Sequence, residues 1–402
     1  MQHSQSKPGV KNEEREPLFR PTGRAEGLPG RAYYDPAFYE AERHTVFAKG
    51  WMGIGFAKDI PDSGDIQPIT VAGWELITVR QKDGSIKVFH NICRHRGMRL
   101  VKEKGNARSI RCIFHCWTYA LDGKLMATPV INGVNEHKAE DFDYSELGLK
   151  EVRSGQYLDI IFVNIDGQAV PLEEHLRPVR DRLEGTFDMS LIRDGETINT
   201  MSYPVNWKIA YEGGIEDYHV GFVHKKMRHS PAYQFEDGGT TYAGFSNSFK
   251  LEDIKGVIFE STTDGKTLPI FPKMVESGVT DAITLFIFPT VIIGCKPNSV
   301  NMSVSLPQGP EKTEYVGRTY FIGEAATDPS FQKLRDGVRE FWAEAFHEDD
   351  VVWREVQAMV KIREDLNLET RFSPHWERAL HAFQKYVAKE VGDDVRRDPA
   401  SA

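Results

Sequence analysis

Cys93-Arg94-His95-Arg96-Gly97 and Cys112-Ile113-Phe114-His115-Cys116, with sixteen residues between His95 and Cys112, decide how the first half of this chain is read. Each arm is short enough for its thiol and imidazole to reach one small site from a single loop, so two sulfurs and two imidazoles meet. Such a set suits tetrahedral zinc. A structural zinc finger, however, separates its cysteine pair from its histidine pair, whereas here each arm carries one of each. That distribution fits a two-iron, two-sulfur centre in which one iron takes two thiolates and the other two imidazoles. Neutral imidazole ligands raise the potential of such a centre to roughly −150 to +300 mV, against about −400 mV for all-cysteine plant-type clusters.

Working outward, the flanking sequence is rich in short β runs. Trp74-Glu75-Leu76-Ile77-Thr78-Val79 and Ser85-Ile86-Lys87-Val88-Phe89 read as strands, and Asp83-Gly84 and Asp122-Gly123 as turns. Residues from Trp51 to about Val163 therefore predict a small antiparallel β domain, with both arms on loops that follow strands. Beyond Gly167 the pattern is mixed. Helices are expected at about Pro36–Ala48, Asn206–His224, Phe331–Val360 and Trp376–Val391, and strands between Gly244 and Phe321, including Ile283–Phe288. The expected class is α+β, a small antiparallel β domain followed by a larger one whose antiparallel sheet is covered by helices. The expected boundaries are a mobile tail at 1–35, a cluster-binding domain with an N-terminal helix at 36–165 and a catalytic domain at 166–402.

With 402 residues, 40% apolar and 27% charged, the chain has an ordinary globular profile. A formal net charge of −9 argues against a nucleic-acid or anionic-membrane partner. No run of about 18 apolar residues predicts a membrane span, and the charged, Pro- and Gly-containing start lacks a secretory core. Four cysteines (Cys93, Cys112, Cys116 and Cys295) are too few for a disulfide scaffold and point to the cytoplasm.

A second constellation lies downstream. His219 and His224 are five residues apart, which on a regular helix turns them about 140° away from each other. Joint use then requires a distorted turn, such as a π-bulge. Val338, Trp342, Ala345, Asp349, Val352 and Val356 fall on one stripe of the predicted long helix. An acid on that apolar stripe is costly unless a cation offsets it. Two histidines and one carboxylate form the facial set of non-haem iron(II) oxygenases, which leaves positions open for dioxygen.

Asn91–Gly97, Cys112–Tyr119, Asp217–His224, Glu348–Gln357 and Ser373–Phe383 together resemble the alpha subunits of Rieske non-haem iron, ring-hydroxylating oxygenases, from about Trp51 to Phe383. The resemblance implies a [2Fe-2S] cluster on Cys93, His95, Cys112 and His115 and a mononuclear iron on His219, His224 and Asp349. Electrons would come from NAD(P)H through a flavin/iron-sulfur reductase or a ferredoxin. It also implies a carboxylate bridge three residues before the first iron-binding histidine, which falls on Glu216, with Asp217 as the neighbouring alternative. The implied relay runs from His115 of one subunit through Glu216 to His219 of the next, in a head-to-tail homotrimer. Glutamate at the bridge is similar to the branch acting on choline, glycine betaine and carnitine.

The expected activity is therefore hydroxylation or oxidative N-demethylation of a small N-methylated or quaternary ammonium compound with dioxygen. Ring hydroxylation of an aromatic acid is the alternative, and a plain electron-transfer protein the non-enzymatic one. A cationic substrate wants aromatic walls, for which Tyr203, Tyr211, Phe222, Phe286 and Phe288 are candidates. Cys116 stands where the family usually has glycine, and is expected to pack as a small hydrophobe.

Overall fold

The computed structural model describes residues 9–251 and 266–392. The chain divides into two compact units, Trp51–Ala169 and a second built from the residues up to Gly50 together with those from Val170 on.

In the first unit a seven-stranded antiparallel sheet is built from β1 (Met52–Phe56), β2 (Asp65–Val71), β3 (Trp74–Arg80), β4 (Ile86–His90), β5 (Gly105–Asn106), β9 (Glu151–Tyr157) and β10 (Ile160–Asn164). Their order is β1-β10-β9-β4-β3-β2-β5. A smaller sheet of β6 (Ile110–Arg111), β7 (Thr118–Tyr119) and β8 (Leu125–Ala127) carries the second arm. Asp83-Gly84 and Asp122-Gly123 turn as expected, with both glycines at positive φ. Ile66, Ile77, Val79, Phe89, Ile110, Trp117 and Tyr119 pack into one core that also encloses Cys93 and Cys112.

The second unit is organised by another seven-stranded antiparallel sheet. Its strands are β11 (Ile192–Tyr203), β12 (Tyr233–Asp237), β13 (Tyr242–Lys250), β14 (Val279–Ile287), β15 (Val291–Lys296), β16 (Ser299–Gly309) and β17 (Lys312–Ile322), in the order β11-β17-β16-β15-β14-β13-β12. Helices Trp207–Gly214, Gln332–Asp365 and Arg378–Val391 pack against it. No described helix is long and apolar enough to cross a membrane.

Three expectations need correction. Described from residue 9, the N-terminal segment is not a tail. It forms a helix at Asn12–Leu18, buries Val10, Leu18 and Leu28, and donates the Leu28 N–H to Gln384 at 2.8 Å. The charged residues that suggested mobility are used in place, since Arg31 pairs with both Glu14 and Glu364. Likewise the helical stretch from Pro36 belongs to the second unit rather than to the cluster unit. Its Glu42 is fully buried against Lys208 at 2.6 Å and accepts from Trp207 Nε1, while Phe47 packs edge-on to the Trp207 ring. Finally, the buried stripe of the long helix runs Val338, Ala345, Asp349, Trp353, Gln357 and Val360, so Val352 and Val356 face solvent. Steps of four residues turn the stripe slowly around the axis, and Trp353 takes the place assigned to Val352.

Candidate active site

In the cluster unit the two arms adopt the same turn. The Gly97 N–H donates to the Cys93 carbonyl and the Cys116 N–H to the Cys112 carbonyl, both at 3.0 Å. Each turn ends in a left-handed residue, Gly97 at φ 72° and Cys116 at φ 58°. That geometry is the physical reason for glycine at this place. Cys116 is exposed and does not pack as a small hydrophobe, a correction to the expectation. Cys93 and Cys112 are both buried in the core of the unit. Burial pushes the Cys112 thiol up, while the N–H groups of Phe114 and His115 pull it down.

His95 and His115 are exposed, and their Nδ1 atoms face each other at 3.1 Å. His95 lies flat on Trp117, with centroids 4.7 Å apart, and Phe114 packs on His115. Partial desolvation and the neighbouring His115 and Arg96 hold His95 below the usual histidine range. Two sulfurs and two Nδ1 atoms thus converge, and this set fits a mixed-ligand [2Fe-2S] cluster. Tyr119 went unnoticed in the sequence. Its hydroxyl lies 3.3 Å from Cys93 Sγ and accepts from the Arg94 N–H at 3.0 Å.

In the catalytic unit the stretch from Asn206 is not one distorted helix. Helix Trp207–Gly214 stops, and a single turn at Val220–Val223 comes after it, with His219 before that turn and His224 after it. The break is held by Glu216, whose carboxylate accepts from the N–H groups of Tyr218 and His219 and from His219 Nδ1. No π-bulge is needed, because flanking a one-turn helix brings the two rings to a centroid distance of 5.2 Å. Gly213 is required here, since a Cβ would lie 2.0 Å from Trp353 Nε1. Asp349 Oδ1 lies 3.5 Å from His219 Nε2 and 3.4 Å from His224 Nε2, and one ligand atom from each of the three residues falls within 4.8 Å of the others.

Electrostatics fit a cation at this point. Burial, reinforced by Glu216 and Glu348, pushes Asp349 up to about 7. At His219 burial opposes the charged ring, but the Glu216 contact outweighs it and the net shift is upward. At His224 burial dominates and the shift is downward. Three carboxylates around two imidazoles leave a local excess of negative charge, which a divalent ion would neutralise. Glu216 makes the contact to His219. Asp217 is held above the usual range by burial, against the pull of Lys296. Glu348 was missed in the sequence. It accepts from His224 Nδ1 at 3.0 Å, and its adjacency to Asp349 was the available signal.

Beside Asp349 lies a cavity. Its walls include five aromatic side chains, Tyr203, Tyr211, Tyr315, Phe346 and Trp353. Of the wall candidates only Tyr203 and Tyr211 line it. Phe286 stands behind Tyr211, Phe288 stacks on Tyr386, and Phe222 is 77% exposed.

Comparison with known proteins agrees with this geometry. The family description "Rieske [2Fe-2S] domain" matches residues 50–138, and "Ring hydroxylating alpha subunit (catalytic domain)" matches residues 186–393, over half of the chain. The chain belongs to the ring-hydroxylating oxygenases. It is a Rieske non-haem iron oxygenase with a [2Fe-2S] cluster and a mononuclear iron as cofactors. Oxygenases of this family take electrons from a reductase or ferredoxin, and they oligomerise. The alpha subunit of 2-aminobenzenesulfonate 2,3-dioxygenase from Alcaligenes sp. is 34% identical over 322 residues, 77% of this chain and 78% of that one. The glycine betaine monooxygenase oxygenase subunit of Chromohalobacter salexigens is 31% identical over 204 residues, 50% of this chain and 44% of that one. A quaternary ammonium Rieske monooxygenase shares the fold with a TM-score of 0.77 at 21% identity, covering 96% of this oxygenase and all of that chain.

Proposed function

We propose that the oxygenase acts on a small N-methylated or quaternary ammonium compound, hydroxylating it or removing an N-methyl group as formaldehyde through an unstable carbinolamine. The observation that carries this reading is the cavity beside Asp349, with five aromatic walls and no Lys, Arg or His among its described lining residues. Aromatic faces hold a methylated cation, whereas a carboxylate or sulfonate there would lose its hydration with no cationic side chain among the described lining residues to replace it. In this reading Cys93, His95, Cys112 and His115 hold the cluster and His219, His224 and Asp349 hold the iron. The bound iron supplies dioxygen activation and the cluster supplies electrons. Glu216 fixes His219 through Nδ1 and offers its carboxylate as the bridge to a neighbouring subunit's His115 in a head-to-tail trimer. The ring faces of Tyr203, Tyr211 and Trp353 orient the substrate and exclude water. Four cysteines outside any disulfide suit a reducing cytoplasm.

The second reading, ring hydroxylation of an aromatic acid, is favoured by the 34% identity to the aminobenzenesulfonate enzyme across most of the chain. Reconstituted with a reductase and NAD(P)H, the oxygenase is expected to consume dioxygen with glycine betaine, choline or carnitine and to release formaldehyde if it demethylates. Turnover confined to benzoate-type or sulfonated arenes would replace the first reading with the second.

A further inference from the structure

We infer that Glu348 is a positioning residue for the iron site, acting through His224. The inference rests on the reading that His219, His224 and Asp349 hold the iron. Glu348 and Asp349 are consecutive on the long helix, yet they face opposite edges of the same imidazole. Asp349 Oδ1 lies 3.4 Å from Nε2, and Glu348 Oε2 accepts from Nδ1 at 3.0 Å. A proton fixed on Nδ1 leaves the Nε2 lone pair aimed at the common point of the three ligands.

The contact also has a mechanical part. His224 leaves its one-turn helix in an extended conformation, so helical hydrogen bonding does not hold Lys225 and Lys226. Instead Lys225 lies 3.7 Å from the second oxygen of Glu348, and Lys226 pairs with Glu344 one turn earlier on the long helix. The segment from His224 to Lys226 is thereby laced to an acidic ridge one helical turn long. A small cleft lined by His224, Lys226, Met227, Phe341, Glu344 and Glu348 opens beside the contact. Without the carboxylate, a mobile water from that cleft would take its place on Nδ1 and the ring would lose its fixed orientation. Glu216 serves His219 in the same way from three residues away, so each iron-facing histidine carries one carboxylate of its own.

The test is Fe(II) titration of apo-protein that retains its cluster, comparing the native oxygenase with Glu348→Ala, Glu348→Gln, Lys225→Ala and His224→Ala. Glu348→Ala is expected to bind Fe(II) about 10–100-fold more weakly with an unchanged cluster spectrum. Glu348→Gln keeps an acceptor oxygen and should recover most of that loss, a rescue that general destabilisation would not give. Lys225→Ala should stay within about twofold of native, since its ammonium is largely exposed. Native affinity in both Glu348 variants, alongside iron loss in His224→Ala, would overturn the inference. Iron retention in His224→Ala would instead overturn the ligand assignment. If Glu348→Ala fails to fold, as judged by a missing cluster spectrum, Glu348→Asp takes its place with the same criterion: weakened binding supports positioning and native binding refutes it.

Discussion

The two histidine pairs of this oxygenase use opposite edges of the imidazole. In the cluster unit the Nδ1 atoms of His95 and His115 turn toward each other and the rings stand exposed, steadied by the faces of Trp117 and Phe114. In the catalytic unit the Nε2 atoms of His219 and His224 converge on Asp349, and each Nδ1 is held by a carboxylate. The difference lies in what each site leaves over. Rings packed on aromatic faces keep their outer nitrogen available to another molecule, as an electron relay needs. The rings anchored by Glu216 and Glu348 have both nitrogens engaged, Nδ1 by a carboxylate and Nε2 turned toward Asp349.

If that contrast is right, the two centres can be emptied separately. Cys93→Ser should abolish the visible cluster spectrum and bring turnover to background while mononuclear iron persists. His219→Ala should do the reverse, losing iron and keeping the spectrum, as metal and acid-labile sulfide analysis would show. Loss of both metals from either variant would break the comparison. A smaller effect is expected at the bridge. Glu216→Gln should retain both metals and lower coupled turnover about 10–100-fold, with unchanged turnover removing Glu216 from the relay.

The catalytic unit also buries acids, and this gives it a pH dependence of its own. Burial raises Glu212 from 4.5 to about 7, against the pull of the hydrogen bond from Tyr33. The folded state then holds a proton that the unfolded chain has released. Stability should fall as pH rises from about 4.5 to about 7, by at most about 3 kcal/mol. Denaturant unfolding at pH 5 and pH 8 should show the decline, and Glu212→Gln should lessen it. The smallest effect belongs to the second arm. Cys116→Gly removes a left-handed cysteine and should stabilise the protein by about 1 kcal/mol with its cluster retained; a loss of stability would mean that the thiol serves a purpose that the turn does not explain.

Much of this was legible in the residues. The arms at Cys93 and Cys112 are local, so spacing alone brought their ligands together, and the strand at Ile283–Phe288 is accounted for by its apolar run. Distant partners were harder. Asp349 stood out because a carboxylate on an apolar stripe is costly, whereas Glu348 beside it looked solvated until His224 was placed against it. Tyr315, Phe346 and Trp353 come from two separate elements, and only the packed sheet and long helix show that they share a cavity. The expected tail at 1–35 misled for a related reason. Its charges suggested solvent, but Arg31 finds Glu364 more than 300 positions away.

One strand pairing has a practical consequence. β1 and β10 lie side by side, with Met52 opposite Val163, so the chain enters and leaves the cluster unit at neighbouring points. The unit is therefore a cassette set into an otherwise closed polypeptide, with its two ends a strand spacing apart. Transplanting the cassette between relatives should need only two splice points.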